Sequence, residues 1–114
     1  MADARIDYVE FPSATAHELT RAFYAKAFGW DFTDYGPTYS ATTNGTTDIG
    51  LQGDPADALS APLPVIRVDG LEAAFDAVAK AGGTIAKPIF SFPGGRRFHF
   101  IDPSGSELAV WSQS

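Results

Sequence analysis

In this chain of 114 residues few side chains can do chemistry, and one absence narrows the field at once. There is no cysteine, which excludes disulfide frameworks, thiol nucleophiles and thiolate zinc sites. Tyr8 and Glu10 stand two apart in an alternating segment and so share one face of a strand. A carboxylate beside a phenol in a dry pocket is enough for proton transfer. The plainer reading of Glu10 is an ion pair with Arg67 or Arg97. His99 lies between Phe98 and Phe100, so alternation separates it from both. With an ordinary pKa near neutrality it is a candidate acid, base or ligand contact, the alternative being a satisfied or exposed sheet residue. Arg67 sits among apolar neighbours, where a guanidinium either anchors a ligand carboxylate through two hydrogen bonds or neutralises a carboxylate of the protein. His17 falls in the first turn of a helix and reads as solvated. Gly94-Gly95-Arg96-Arg97 has phosphate-loop composition, but no helix starts there and no P-loop spacing exists.

Two similar halves must position these residues. Residues 5 to 11 alternate as a strand that Pro12 stops. Thr15-Ala16-His17-Glu18 has capping-box spacing, Leu19, Ala22, Phe23 and Ala27 recur at helical intervals, and Gly29 supplies a left-handed stop, which predicts a helix over 16 to 28. The second half repeats this grammar. An apolar run at 64 to 68 is followed by capping spacing in Asp69-Gly70-Leu71-Glu72, a stripe of Leu71, Ala74, Phe75 and Val78, and then Gly82-Gly83, predicting a helix over 70 to 81. Strands are expected at 30 to 35, 39 to 43 and 46 to 51 around an Asn44-Gly45 turn, and at 84 to 88, 97 to 101 and 107 to 111 around Asp102-Pro103-Ser104-Gly105. Residues 90 to 95 read as a loop. The order is βαβββ twice, with module one at about 5 to 52, a linker at 53 to 62 and module two at about 63 to 112. Neither half would bury much surface alone, so residues 1 to 114 read as one domain.

Composition bounds the partners. Hydrophobic residues make up 45% of the chain and charged residues 19%, a balance that fills a core and does not suit a disordered segment. Eight Lys plus Arg against 14 Asp plus Glu give a net charge of −6, which repels phosphate backbones and anionic lipids. Neither nucleic acid nor membrane is expected as a partner. No apolar run approaches the roughly 20 residues that span a bilayer, and the first residues lack the basic start and apolar stretch of a signal peptide, so the expected location is cytoplasmic.

Phe23-Tyr24-Ala25-Lys26-Ala27-Phe28-Gly29-Trp30, Val68-Asp69-Gly70-Leu71-Glu72-Ala73-Ala74, Gly82-Gly83, Gly95-Arg96-Arg97-Phe98 and Asp102-Pro103-Ser104-Gly105 follow one another in an order that resembles the vicinal oxygen chelate superfamily. That group includes lactoylglutathione lyases, bleomycin and fosfomycin resistance proteins and extradiol dioxygenases. The resemblance spans roughly residues 5 to 112, and Ser106 departs from the Asn usual after the last turn. It implies an α+β fold in which two βαβββ modules form a cupped, mostly antiparallel eight-stranded sheet with helices outside and a ligand inside, the modules pairing within one chain or between two. Metal enzymes of the group keep a ligand on the first and last strand of each module. Carried over, those positions fall at Tyr8 (or Val9), between Gly50 and Gln52, at Leu63 and at Ala109. At least three of the four lack the usual donors, so no metal cofactor is expected and a divalent ion is disfavoured.

If Tyr8 replaces the first ligand, its face is the concave one. Tyr8 then donates to a substrate carbonyl, and Glu10 acts as a base or holds an amine. The same mapping turns Arg67 and Trp111 inward, with Trp111 and Tyr39 offering flat walls for a ring, or else closing the rim of the core. The ligand-binding candidates are thus Tyr8, Tyr39, Arg67, His99 and Trp111, and the catalytic candidates Glu10, Tyr8 and His99. Two functions remain open: a binding protein for a small planar or aromatic molecule, without the usual ion, and a lyase or isomerase working through acid/base residues or a non-standard metal site. Sheet edges that a chain of this size has little structure to cover favour a homodimer.

Overall fold

The computed structural model describes residues 4–43 and 45–114, so the expected turn at Asn44 lies outside the described residues. The elements run β1 (Arg5–Pro12), α1 (His17–Phe28), β2 (Thr33–Asp34), β3 (Tyr39–Ala41), β4 (Asp48–Gln52), β5 (Leu63–Arg67), α2 (Leu71–Lys80), β6 (Thr84–Phe92), β7 (Gly95–Ile101) and β8 (Glu107–Ser112), which is βαβββ twice. The fold is α+β. The described chain forms two compact units, one of Tyr8–Leu63 and one of Pro64–Ser114 together with residues 4–7. No described helix is long and apolar enough to cross a membrane.

In the second-half unit the strand order is β5-β8-β7-β6, with β5 parallel to β8 and the other pairs antiparallel. The stripe read from the sequence of α2 does what it predicts. Leu71 and Ala74 are buried with Val68, Phe98 and Val110, and Phe75 meets Phe98 edge to face at 5.2 Å. Fully buried side chains of the size of Leu71 and Phe98 each contribute about 1.5 to 3 kcal/mol. The alternate residues of the same strands, including Arg67, Arg97, His99, Ala109 and Trp111, therefore point away from α2.

In the first-half unit the order is β2-β3-β4-β1, with β1 parallel to β4. Here the polarity of the helix departs from expectation. None of the residues of α1 is buried, and Leu19, Phe23 and Phe28 are 77%, 59% and 63% exposed. The half-buried side of α1 instead carries His17, Thr20, Arg21 and Tyr24. Polar partners explain the inversion: Arg21 donates to both carboxylate oxygens of Asp34, at 2.8 and 3.2 Å, and His17 bonds on both ring nitrogens, to Ser13 Oγ at 2.7 Å and Ser40 Oγ at 3.1 Å. His17 is thus tied down rather than solvated.

Neither expected capping box forms. Ala16 and Gly70 occupy the N-cap positions without side-chain hydrogen bonds, and Glu72 is taken up by a two-pronged pair with Arg96 at 2.5 and 3.0 Å. Gly29, at φ 70°, closes α1 as anticipated. Strand β2 is only Thr33–Asp34; Trp30, expected to begin it, instead stacks on Tyr24 at 5.2 Å. The expected loop at 90 to 95 is a hairpin instead: β6 runs on to Phe92 and β7 begins at Gly95. Pro88 is accommodated in β6 because the ladder with β7 is irregular between Lys87 and Phe90.

Candidate functional site

Tyr8, Glu10 and Tyr39 meet in the first-half unit. Glu10 lies opposite Gly50 on β4, and Gly50 lies opposite Ala41 on β3, which places Tyr8, Glu10, Tyr39, Gly50 and Gln52 on one face. Tyr39 donates to Glu10 Oε2 at 3.0 Å, and the Tyr8 and Tyr39 hydroxyls are 2.5 Å apart. Since the Tyr39 proton is committed to Glu10, Tyr8 donates to Tyr39. Burial, and then the charge of Glu10 beside it, push the Tyr39 hydroxyl far above its ordinary pKa, so it stays protonated. Gly50 makes the cluster feasible: a Cβ there would fall 2.8 Å from Tyr8 Cζ and closer still to both phenol oxygens.

The same register fixes which fourth-strand residues share the Tyr8 face. Gly50 and Gln52 do, while Leu51 is fully buried on the opposite side. Gln52 Oε1 accepts from the Asp54 amide at 3.0 Å, Leu63 is buried, and Ala109 is buried opposite His99. Among the described residues, no three His, Asp or Glu side chains come together in a way that could hold a metal ion. An amide capping its own loop, two hydrocarbons and a phenol do not make the donor set of a divalent site.

Arg67, His99 and Trp111 meet in the second-half unit. Arg67 lies opposite Trp111, with its guanidinium over the indole at 5.0 Å from the ring centre, and Arg97 flanks Trp111 from the other side. Phe92 leans on Trp111 at 6.2 Å, and the indole N–H donates to Asp7 Oδ1 at 3.0 Å. The flat side expected to receive a ligand ring thus already carries Arg67. That guanidinium has no carboxylate partner among the described residues. Lys87 lies opposite His99, so this face collects Arg67, Arg97 and Lys87 in a chain whose net charge is −6.

His99 is almost wholly buried, its side chain 1% exposed, and its Nδ1 is 2.8 Å from Glu107 Oε2. Burial holds its pKa below the ordinary value; the Glu107 hydrogen bond opposes this, and the charges of Arg97 and Lys87 add to it. Glu107 escaped the sequence reading. The hairpin carries the signal, since the turn at 102 to 105 pairs Ile101 with Glu107 and leaves Glu107 diagonal to His99 on one face. A half-open depression of about 200 Å³ in the first-half unit is lined by Trp30, Asp31, Thr42 and Asp48 among others, and by none of the residues selected from sequence.

Comparison with known proteins agrees with this architecture. The chain resembles a structure described as an NAD-dependent benzaldehyde dehydrogenase from Legionella pneumophila (TM-score 0.75, 15% identity, 94% of this chain and 98% of that one). It is also similar to methylmalonyl-CoA epimerase from Mycobacterium tuberculosis (TM-score 0.75, 13% identity, 96% and 87%). A third likeness is to the Mn(II)-bound glyoxalase from Novosphingobium aromaticivorans (TM-score 0.71, 20% identity, 95% and 38%). At these identities the likeness establishes the fold and not the reaction. No curated protein matches the sequence. The family model for the Glyoxalase/Bleomycin resistance protein/Dioxygenase superfamily matches residues 5–110, nearly the whole chain, and the protein belongs to that superfamily.

Proposed function

We propose that this protein binds a small planar organic anion, without the divalent ion that metal enzymes of its superfamily use. The observation that carries the reading is Arg67, laid on Trp111 at 5.0 Å and lacking a carboxylate partner among the described residues. An unpaired, half-buried guanidinium on an apolar strand invites an anion, and stacking on the indole pre-orders it for two-pronged contact with a carboxylate. Lys87, opposite His99 on the same face, adds to the local positive field. Thermal shift with a set of aromatic carboxylates and amines, on the native protein and on Arg67→Leu, tests the anchor. Carboxylates should stabilise the native protein and lose at least tenfold in affinity on Arg67→Leu. Unchanged carboxylate binding, or stabilisation by amines alone, would overturn it.

A lyase or isomerase activity is the second reading, favoured by the Tyr8–Tyr39–Glu10 chain, which holds a buried carboxylate at the end of two phenols. Turnover abolished by Glu10→Gln, with ligand affinity intact, would support it over simple binding. The apolar outer face of α1 supports a homodimer, in which a second copy covers Leu19, Phe23 and Phe28.

A further inference from the structure

His99 Nε2 is buried and has no hydrogen-bond partner among the described residues. A buried acceptor left unpaired is costly, and in native proteins it calls for an explanation such as a ligand or an ordered water. The other ring nitrogen is committed to Glu107 at 2.8 Å. A carboxylate accepts, so Nδ1 carries the proton, and a neutral imidazole then presents Nε2 as a bare lone pair. The groups facing the ring are Lys87 from β6, Arg97 from β7 and Glu107 from β8, with the Phe90 ring 5.9 Å away. The two cations disfavour an imidazolium, and Glu107, diagonal to His99 on the neighbouring strand, fixes the tautomer.

Resting on the anion-binding reading above, we infer that His99 and Glu107 form a second recognition element, in which Nε2 accepts a hydrogen bond from an O–H or N–H group of the ligand that Arg67 anchors. Arg67 and His99 are two strands apart and offset by two residues on one face. At about 4.8 Å per strand and roughly 3.3 Å per residue, their Cα atoms are about 12 Å apart, a span that one ring with a substituent at each end can bridge. The ligand class is therefore a hydroxy- or amino-substituted aromatic acid rather than an unsubstituted one. Glu107 is a positioning residue.

The probes are benzoate and the three monohydroxybenzoates, titrated against the native protein, His99→Leu and Glu107→Leu. One hydroxybenzoate should bind the native protein about tenfold tighter than benzoate, the worth of one hydrogen bond in a dry site. His99→Leu should erase that preference while leaving benzoate affinity within about threefold, and Glu107→Leu should reduce it. Long-range 1H–15N correlation on the native protein should show the ring protonated on Nδ1 alone at pH 7.5. Equal affinity for benzoate and every hydroxybenzoate, or a proton on Nε2, would overturn the inference while leaving the Arg67 anchor standing. Failure of all four probes to bind would refute the anion reading and this inference with it.

Discussion

Gly50→Ala probes the Tyr8–Tyr39–Glu10 cluster more sharply than removing any of its members. The added methyl meets both phenol oxygens at less than contact distance and Tyr8 Cζ at 2.8 Å, so the two rings must separate from each other or from Glu10. Overpacking of this kind costs about 1 to 3 kcal/mol, and breaking hydrogen bonds to a buried carboxylate adds about 1.5 to 3 kcal/mol. Partial relaxation brings the expected loss to about 2 to 4 kcal/mol. That is a large part of a domain stability of about 5 to 15 kcal/mol, and a drop in Tm on the order of 10 °C. Gly50 does not have positive φ, so backbone strain makes no contribution. The signature is coupling. In a Tyr8→Phe/Tyr39→Phe background the two nearest obstructing atoms, the phenol oxygens, are gone, so Gly50→Ala should cost at least about 1 kcal/mol less there. Urea unfolding of the four proteins measures each step. Additive costs, or a single-variant loss below about 0.5 kcal/mol, would refute the proposed crowding of the phenols around Gly50.

Acid should weaken the fold through His99. Its folded pKa lies below the unfolded value of about 6.5, so the unfolded chain binds the proton more readily, and this contribution to stability is full above pH 6.5 and declines below it. The slope is at most about 1.4 kcal/mol per pH unit, and unfolding at pH 5 to 7.5 should show it reduced in His99→Gln. Gly53→Ala should cost about 1 to 3 kcal/mol by thermal unfolding, since its methyl would sit 2.7 Å from His17 Nδ1 and 2.9 Å from the Thr38 carbonyl oxygen. Sedimentation should give a dimer for the native chain and a folded monomer for Phe23→Glu, whose charge would lie on the outer face of α1. A native monomer at micromolar concentration would contradict the covered face.

Order and type of the elements were legible wherever local signals and tertiary partners agreed. The stripe of α2 reads directly because Leu71 and Ala74 are buried against Phe98 and Val110. The helix α1 was legible as a helix, but not its orientation. His17 and Arg21 turn inward because Ser40 and Asp34, remote in sequence, accept from them, and no local pattern announces those partners. The strand character of 90 to 92 was obscured by Pro88 and by Pro93-Gly94, the latter being the turn of a hairpin rather than a loop. Alternation correctly put Tyr8 with Glu10, and the positions implied by the resemblance put Arg67 and Trp111 on one face. It could not show that Gly50 opens space for two phenols, that Arg67 already occupies the indole, or that Glu107 reaches His99, because each depends on the register between strands.

The central claim is that anion recognition by Arg67 does not need a metal. Isothermal titration of chelator-treated protein with the tightest-binding aromatic carboxylate, repeated after adding Mn2+, Ni2+ or Zn2+, tests it directly. The predicted result is binding at about one ligand per chain before any metal is added, changed less than threefold by each ion and weakened at high salt. Binding that appears only after an ion is supplied, at one metal per chain, would contradict it.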